Sequence, residues 1–345
     1  MPKKNSKKTD SKPLFNTPHR LPAFNDEDQS FGMVSQNNAT NNIFRLNSKR
    51  GSKDLPFNKK EIRSDTVTAI TQATHLGLAE AVMLDYVNFK FNQVPNHENT
   101  AEFMFTLNQY MTDTGRKDPK SARNAIKHRL DAIASTAYSY HGGDDKNPYN
   151  QNFGAHPLLG YDYKRGGKIF ITLTPFFHDL LVNHAMPMPY HKLMFMLDPV
   201  KEAVALYILR AIIDNKRVNK ASPRGNRIKV KTLLNRIESL PTYDEVMASD
   251  RRVTDRIIDP VFKAVERLAN SKDGAIIRYS FIGKDGKPLD YDSLDYAMFI
   301  DADLVIEEWN HYPEKYLERW NKTQKKIRHR RKKNKAKQEK DKHHA

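Results

Sequence analysis

Five aspartates crowd the C-terminal third of the chain, Asp290, Asp292, Asp295, Asp301 and Asp303. Carboxylates at alternate positions of a strand share a face, and such a set could gather Mg²⁺ for phosphoryl transfer. The plainer reading carries more weight: they form the solvated face of a hairpin and helix start, or offset a basic tail. A nuclease site draws a base or further ligands from elsewhere, and none stands out. His178, His184 and His191 are separated by six and seven residues among Met186, Met188, Met194 and Met196. Metal-site spacing is tighter, and a Met-rich apolar stretch packs a core. Gly166-Gly167-Lys168 lacks the upstream Gly and the Ser/Thr of a phosphate-cradling loop and suits a tight turn better. The body contains no His-x-His, GxxxxGK[ST], HExxH, GxSxG or GxGxxG. No catalytic residue, metal or cofactor is expected, and the chain is not expected to be an enzyme. What remains is the chemistry of cations and amides on helices: Arg and Asn are the side chains that read guanine and adenine edges bidentately.

Composition says where such helices sit. The chain has 345 residues, 58 Lys+Arg against 41 Asp+Glu, a net charge of +17 and no cysteine. Zero cysteine excludes disulfide frameworks, thiolate zinc sites, iron–sulfur clusters and thiol nucleophiles, and fits a reducing compartment. Residues 1–20 hold six Lys/Arg against Asp10, and residues 319–345 hold thirteen against Glu339 and Asp341, so the ends carry nearly all the excess. These like-charged, apolar-poor segments are expected to be disordered when free. The stretch from about 21 to 60, with QNNATNN and NSKRGSK, reads as an irregular polar lead-in. Residues 21–318 are nearly neutral but uneven. Lys216 to Lys231 is basic with no acid, and Asp285 to Glu318 is acidic. The greasiest stretch, Val200 to Ile213, is broken by Lys201, Glu202 and Arg210 and falls short of the roughly 20 apolar residues that span a bilayer. With no signal-peptide pattern either, a cytoplasmic protein with no membrane partner is expected.

Three Asp-Pro pairs punctuate the body at Asp118, Asp198 and Asp259. Asp is a good N-cap and Pro suits the first helical position, so each pair predicts a helix start. After the first, Ala122, Ala125, Ile126, Leu130 and Ile133 share a face. After the second, Val200 to Ile212 gives a broad apolar face. Around the third, Val253 to Leu268 continues one period, so Pro260 kinks one helix or divides two. Hairpins follow the first and third: YDY-KRGG-KIFITL, and AIIRYSFI with a GKDGKP loop and LDYAMFI as its return strand. Each half thus reads as short helix (about 100–113; about 228–239), turn, longer helix (about 119–136; about 250–270) and β-hairpin. This is the order of a winged helix.

The stretch RRVTDRIIDPVFKAVERLANSKDGAIIRYSF, preceded by DPVKEAVALYILRAI, resembles the recognition helix, wing and scaffold helix of plasmid replication initiators of the tandem winged-helix type. The likeness covers about 190–310 and is architectural over about 65–185. The resemblance implies binding to repeats at a plasmid origin, origin opening, copy control, association with the nucleoid or plasmid, recruitment of host replication initiator or helicase proteins, and a possible homodimer. The lysine-rich C-terminal arm and the acidic LDYDSLDYAMFIDADLVIEEW region are not parts of that pattern.

The expected fold is α+β: a basic lead-in over 1–60, winged-helix domains over 61–185 and 186–318, and a disordered basic tail over 319–345. The expected double-stranded DNA contacts are Lys120, Arg123, Asn124 and Lys127 on the first recognition helix, with Lys164, Arg165 and Lys168 at its wing. On the second half they are Arg251, Arg252, Thr254 and Arg256, with Arg224, Arg227, Lys229 and Lys231 placing phosphates. A transcriptional repressor or partition factor would use the same residues; a Mg²⁺-dependent nucleic-acid enzyme would use Asp290–Asp303. An RNA-binding or ribosome-associated protein would bind through its arms with little DNA preference.

Overall fold

The computed structural model describes residues 30–46, 52–64, 66–141, 153–219, 222–249, 252–270, 275–314 and 318. The basic N-terminal segment, the C-terminal arm over 319–345 and Arg251 lie outside the described residues.

The chain enters the core much earlier than its polar composition predicts. Strand β1 (Phe31–Gln36) is buried at every residue and pairs antiparallel with β10 (Met186–His191). Helix α1 (Asn38–Ile43) follows, and the Asn-rich run that reads as a lead-in supplies its cap, Asn37, and most of the helix itself. Asn37 Oδ1 accepts from Thr40 N at 2.9 Å while Thr40 Oγ1 accepts from Asn37 N at 2.9 Å, a reciprocal capping box. The expectation of an irregular lead-in to residue 60 is therefore corrected from Phe31 onward. Strands β2 (Ser52–Leu55), β3 (Lys59–Arg63) and β4 (Val67–Thr71) form a meander. Helix α2 (Leu78–Phe91) then runs through the centre, buried on all sides after its first turn. β1 presses on it so closely that a Cβ on Gly32 would lie 2.0 Å from Phe89.

The first unit continues with β5 (Glu102–Thr106), α3 (Leu107–Thr114), α4 (Pro119–Ala134), β6 (Thr136–Tyr140), β7 (Phe153–Ala155), β8 (Leu158–Lys164), β9 (Lys168–Leu173) and α5 (Pro175–Asn183). Strands β5, β9 and β8 form one sheet in that order, and β6 and β7 extend the meander into a five-stranded sheet β2-β3-β4-β6-β7. After β10 and the short α6 (Leu193–Met196), the second unit comprises α7 (Ala203–Val218), β11 (Arg227–Lys229), α8 (Val230–Leu234), α9 (Tyr243–Ser249), α10 (Asp259–Ala269), β12 (Ile277–Ile282), α11 (Tyr296–Asp301) and β13 (Asp303–Trp309). Its sheet is ordered β11-β13-β12.

The Asp-Pro pairs diverge in use. Asp118 caps α4 as expected, accepting from Lys120 N and Ser121 N. Asp198 caps only a turn, accepting from Val200 N at 2.8 Å and Lys201 N at 2.9 Å, and α7 begins later at Ala203. Asp259 starts no separate helix. A π-helical turn, Thr254–Ile258, runs straight into α10. Pro260 has no N–H to offer the ladder, and the wider i→i+5 turn just before it absorbs the mismatch.

The two units share one continuous core, and a polar junction is sealed inside it. Arg210 of α7 pairs with Asp85 of α2, and its Nη2 donates to Gln36 Oε1 at 3.0 Å. Its guanidinium lies 3.6 Å from the Phe44 ring centroid. Burial pushes the Asp85 carboxyl up against the opposing pull of the guanidinium. The segment after β1 ties into both units. Asn88 on α2 exchanges hydrogen bonds with Ser35 N and O, at 3.0 and 2.7 Å. Tyr207 Oη on α7 donates to Phe44 O at 2.9 Å, and Arg45 donates to Asn235 O at 3.2 Å. The expected boundary at 185/186 thus falls just before a strand whose partner is the N-terminal β1.

Candidate nucleic-acid interface

In the first unit, α3 and α4 form the helix–turn–helix. Thr106 and Gln109 make the capping box of α3, and Gly115 ends it at φ +64°, a left-handed position that favours glycine. α4 buries Ala122, Ile126, Leu130 and Ile133. That packing turns Lys120, Arg123, Asn124 and Lys127 outward, all four exposed. Among the described residues none of the four is engaged in an ion pair, so their charge and donors face outward uncompensated. Lys117 in the turn and His128 on the same face are also exposed.

The wing is the β8–β9 hairpin, turning at Gly166 and Gly167 with φ +82° and +72°. Leu107 N donates to Gly167 O at 2.7 Å, which fixes the turn to the start of α3. Tyr161 Oη donates to Asp131 Oδ1 at 2.6 Å, which ties β8 to α4. Arg165 and Lys168 are exposed. Lys164 Nζ lies 4.5 Å from the Phe170 ring centroid and 3.4 Å from Asp162.

The second unit repeats the plan with a different electrostatic face. Arg252, Thr254 and Arg256 are exposed just before α10, with Asp255 among them. Lys263, two turns further along and 81% exposed, joins this face and was not singled out from the sequence; its place on the helical period was the available signal. The expected run of phosphate-binding cations from Lys216 to Lys231 is broken up. Lys216 pairs with Glu314 at 2.9 Å and Arg217 with Asp214 at 2.7 Å. Arg227, on β11, pairs with Asp303 at 2.9 Å. Arg224 and Lys229 are exposed, on a 3-10 turn and on β11. Lys231, on α8, lines a cavity of about 480 Å³ together with Ile257 and Tyr296.

The expected return strand LDYAMFI is instead helix α11, capped by Asp295, which accepts from Met298 N at 2.7 Å. Phe299 plugs it into Phe262 and Phe281. The true return strand is DLVIEEW, β13, paired with β12 and β11. The five aspartates are dispersed by this arrangement. Asp290 holds a turn, accepting from Ser293 Oγ at 3.0 Å. Asp295 is a cap, Asp301 faces Lys284 at 3.9 Å, and Asp303 pairs with Arg227. Tyr291 Oη donates to Asp259 Oδ1. That bond, with the nearby Asp255 and Asp292 charges, holds its phenol above the usual range.

The three histidines serve packing at separate places. His178 Nε2 contacts His97 O at 2.9 Å, His184 lies 3.2 Å from Asp179, and His191 Nδ1 accepts from Leu193 N at 3.1 Å. Among the described residues no group of three or more His, Asp or Glu could hold a metal ion.

Setting aside β6 and β7 in the first half and α9 and α11 in the second, both halves therefore run helix, strand, helix, helix, strand, wing, strand, with the sheet ordered first–third–second. This is the winged-helix arrangement, and the chain is an α+β protein of two such units in tandem. The chain matches no family model and no curated protein. Among solved structures it is similar to the Pi initiator protein in complex with iteron DNA, at 10% identity and a TM-score of 0.45, covering 81% of this chain and 99% of that one. It is also similar to selenomethionine derivatives of domains 2 and 3 of RctB, at 11% identity and a TM-score of 0.42, covering 79% and 98%. A further crystal structure of the RctB domains 2-3 gives 13% identity and a TM-score of 0.38, covering 77% and 96%. Among the described residues no helix is long and apolar enough to cross a membrane.

Proposed function

We propose that this chain is a non-enzymatic, sequence-specific binder of double-stranded DNA that initiates plasmid replication. It binds repeats at the origin, promotes opening of the adjacent duplex and recruits host replication proteins. The observation that carries the DNA reading is the outward face of α4, where Lys120, Arg123, Asn124 and Lys127 stand exposed beside a wing bearing Arg165 and Lys168. An Arg and an Asn one position apart on a helix in the major groove can each engage a purine edge bidentately, while the lysines reach phosphate. The second unit, with Arg252, Thr254 and Arg256 exposed at the helix start, reads a further groove segment about one helical turn away.

The division of labour is tested with the full-length protein on the DNA flanking its own gene and on random duplex. Arg123→Ala relaxes discrimination between the two, by about 1–3 kcal/mol. Deleting 319–345, with its thirteen Lys/Arg, weakens both duplexes alike and flattens the salt dependence, which has a slope of about −0.9 per phosphate neutralised. Equal affinity of the intact protein for both duplexes refutes the reading. Mg²⁺-dependent cleavage that Asp301→Ala abolishes would establish the enzymatic alternative instead.

A further inference from the structure

The hairpin β2–β3 carries a feature that the two winged helices do not use. Its turn is Pro56–Phe57–Asn58, closed by the Leu55–Lys59 pair. Phe57 and Asn58 both adopt left-handed backbone, with φ +63° and +55°. Asn tolerates that region, and glycine is the default there; an aromatic residue in it is uncommon and strained. Phe57 gains no packing in return, since its side chain is 87% exposed. A single exposed apolar residue needs no explanation, but one held at a strained tip by a preceding proline does, because such strain collects where a site is preorganised.

Its surroundings say what it meets. Over the hairpin itself, Lys53, Lys59, Lys60 and Arg63 stand against Asp54 and Glu61, and Lys53 and Lys59 are exposed. Minor-groove architectural proteins insert an apolar side chain such as Phe between base steps while Arg and Lys engage the groove beside it. The hairpin is also rigidly placed. Lys60 pairs with Thr71, and Thr71 with Thr136, the first residue of β6 and two residues past the end of α4. The Thr136 hydroxyl lies 2.8 Å from that of Thr71. The tip therefore projects from the end of the sheet where α4 enters it. With strands about 4.8 Å apart, β3 lies roughly 10 Å from β6.

We propose that Phe57 is a DNA wedge: with α4 in a major groove, it enters a neighbouring base step of deformable, AT-rich duplex while Lys53, Lys59 and Lys60 hold the flanking phosphates. This rests on the DNA-binding reading and deepens it. A chain without an ATP-binding loop has only binding energy with which to unstack an origin, and a wedge applies that energy at a single step. Pyrimidine–purine steps, TA above all, yield most easily.

The test uses the full-length protein and AT-rich duplexes about four helical turns long, with 2-aminopurine at a TA step and a fluorophore pair on the ends. Binding of the wild type raises 2-aminopurine emission and brings the ends together. With each protein at a concentration that saturates the duplex, Phe57→Ala loses both signals, and Phe57→Trp restores them, with quenching of its own indole emission. If Phe57→Ala, at saturation, gives the same 2-aminopurine rise and end-to-end approach as wild type, the wedge is wrong and the DNA reading stands. If the variant instead changes the mass measured by sedimentation, the tip contacts protein and the wedge is equally wrong. If the wild type binds no duplex, both readings fall together.

Discussion

Asp85→Asn replaces one partner of the sealed ion pair by an isosteric amide. Arg210 and Asp85 have side chains only 7% and 4% exposed, so water cannot take over from the lost charge. The guanidinium keeps Gln36 Oε1 at 3.0 Å and the Phe44 ring at 3.6 Å, neither of which neutralises it. Breaking a buried pair by removing one partner costs about 3–5 kcal/mol; Asn retains an oxygen acceptor, so the loss should fall at the low end, and Asp85→Ala at the high end. The pair links α2 of the first unit to α7 of the second, so the transition should also lose cooperativity. Replacing both partners, Asp85→Leu with Arg210→Met, removes the uncompensated charge and leaves Gln36 without its donor, a cost of about 1–3 kcal/mol, with the buried Tyr190 hydroxyl losing its neighbours in the pair. Urea unfolding followed by far-UV circular dichroism measures all four proteins. The reasoning is refuted if Asp85→Asn costs less than about 1 kcal/mol, or if the double variant is less stable than either single one.

Further outcomes follow from close contacts and burial. Gly32→Ala should destabilise by about 1–3 kcal/mol in the same assay, because the new methyl overlaps Phe89. Phe57→Gly should stabilise by about 0.5–1 kcal/mol by releasing left-handed strain at an exposed tip; no change would mean that the strain is absent. Burial holds the His97 imidazole below its ordinary range, so it stays neutral in the fold while the unfolded chain takes up a proton. Its contribution to stability is therefore full above the unfolded value of about 6.5. It declines as pH falls below that value toward the depressed folded one, by up to about 1.4 kcal/mol per pH unit. His97→Gln should remove that decline in unfolding midpoints measured across pH 7 to 5, and an unchanged decline would assign it to another group.

Much of the architecture was legible because periodic burial writes itself into sequence. The outward set on α4 follows from the inward set Ala122, Ile126, Leu130 and Ile133, and Gly166-Gly167 marks a turn that only positive φ explains. What could not be read has specific causes. Helix α2 is buried nearly all round, so it shows no amphipathic period to find. Helix α1 and its cap hide in an Asn-rich stretch because capping uses the same polar residues as loops do. The segment Tyr296–Asp301 reads as strand by its aromatic content, and the Asp295 cap together with Phe299 burial overrides that propensity. The cations between Lys216 and Lys231 look alike in sequence, yet partners as distant as Asp303 and Glu314 take up two of them. Local reading cannot see such pairs.

The measurement that bears most directly on the double-reader account is a hydroxyl-radical footprint of the full-length protein on the DNA flanking its gene. Two protected segments about one helical turn apart, with Arg123→Ala erasing one and Arg252→Ala with Arg256→Ala erasing the other, are the predicted result. Uniform protection that depends only on salt, or a single protected segment that both variants weaken equally, would contradict it.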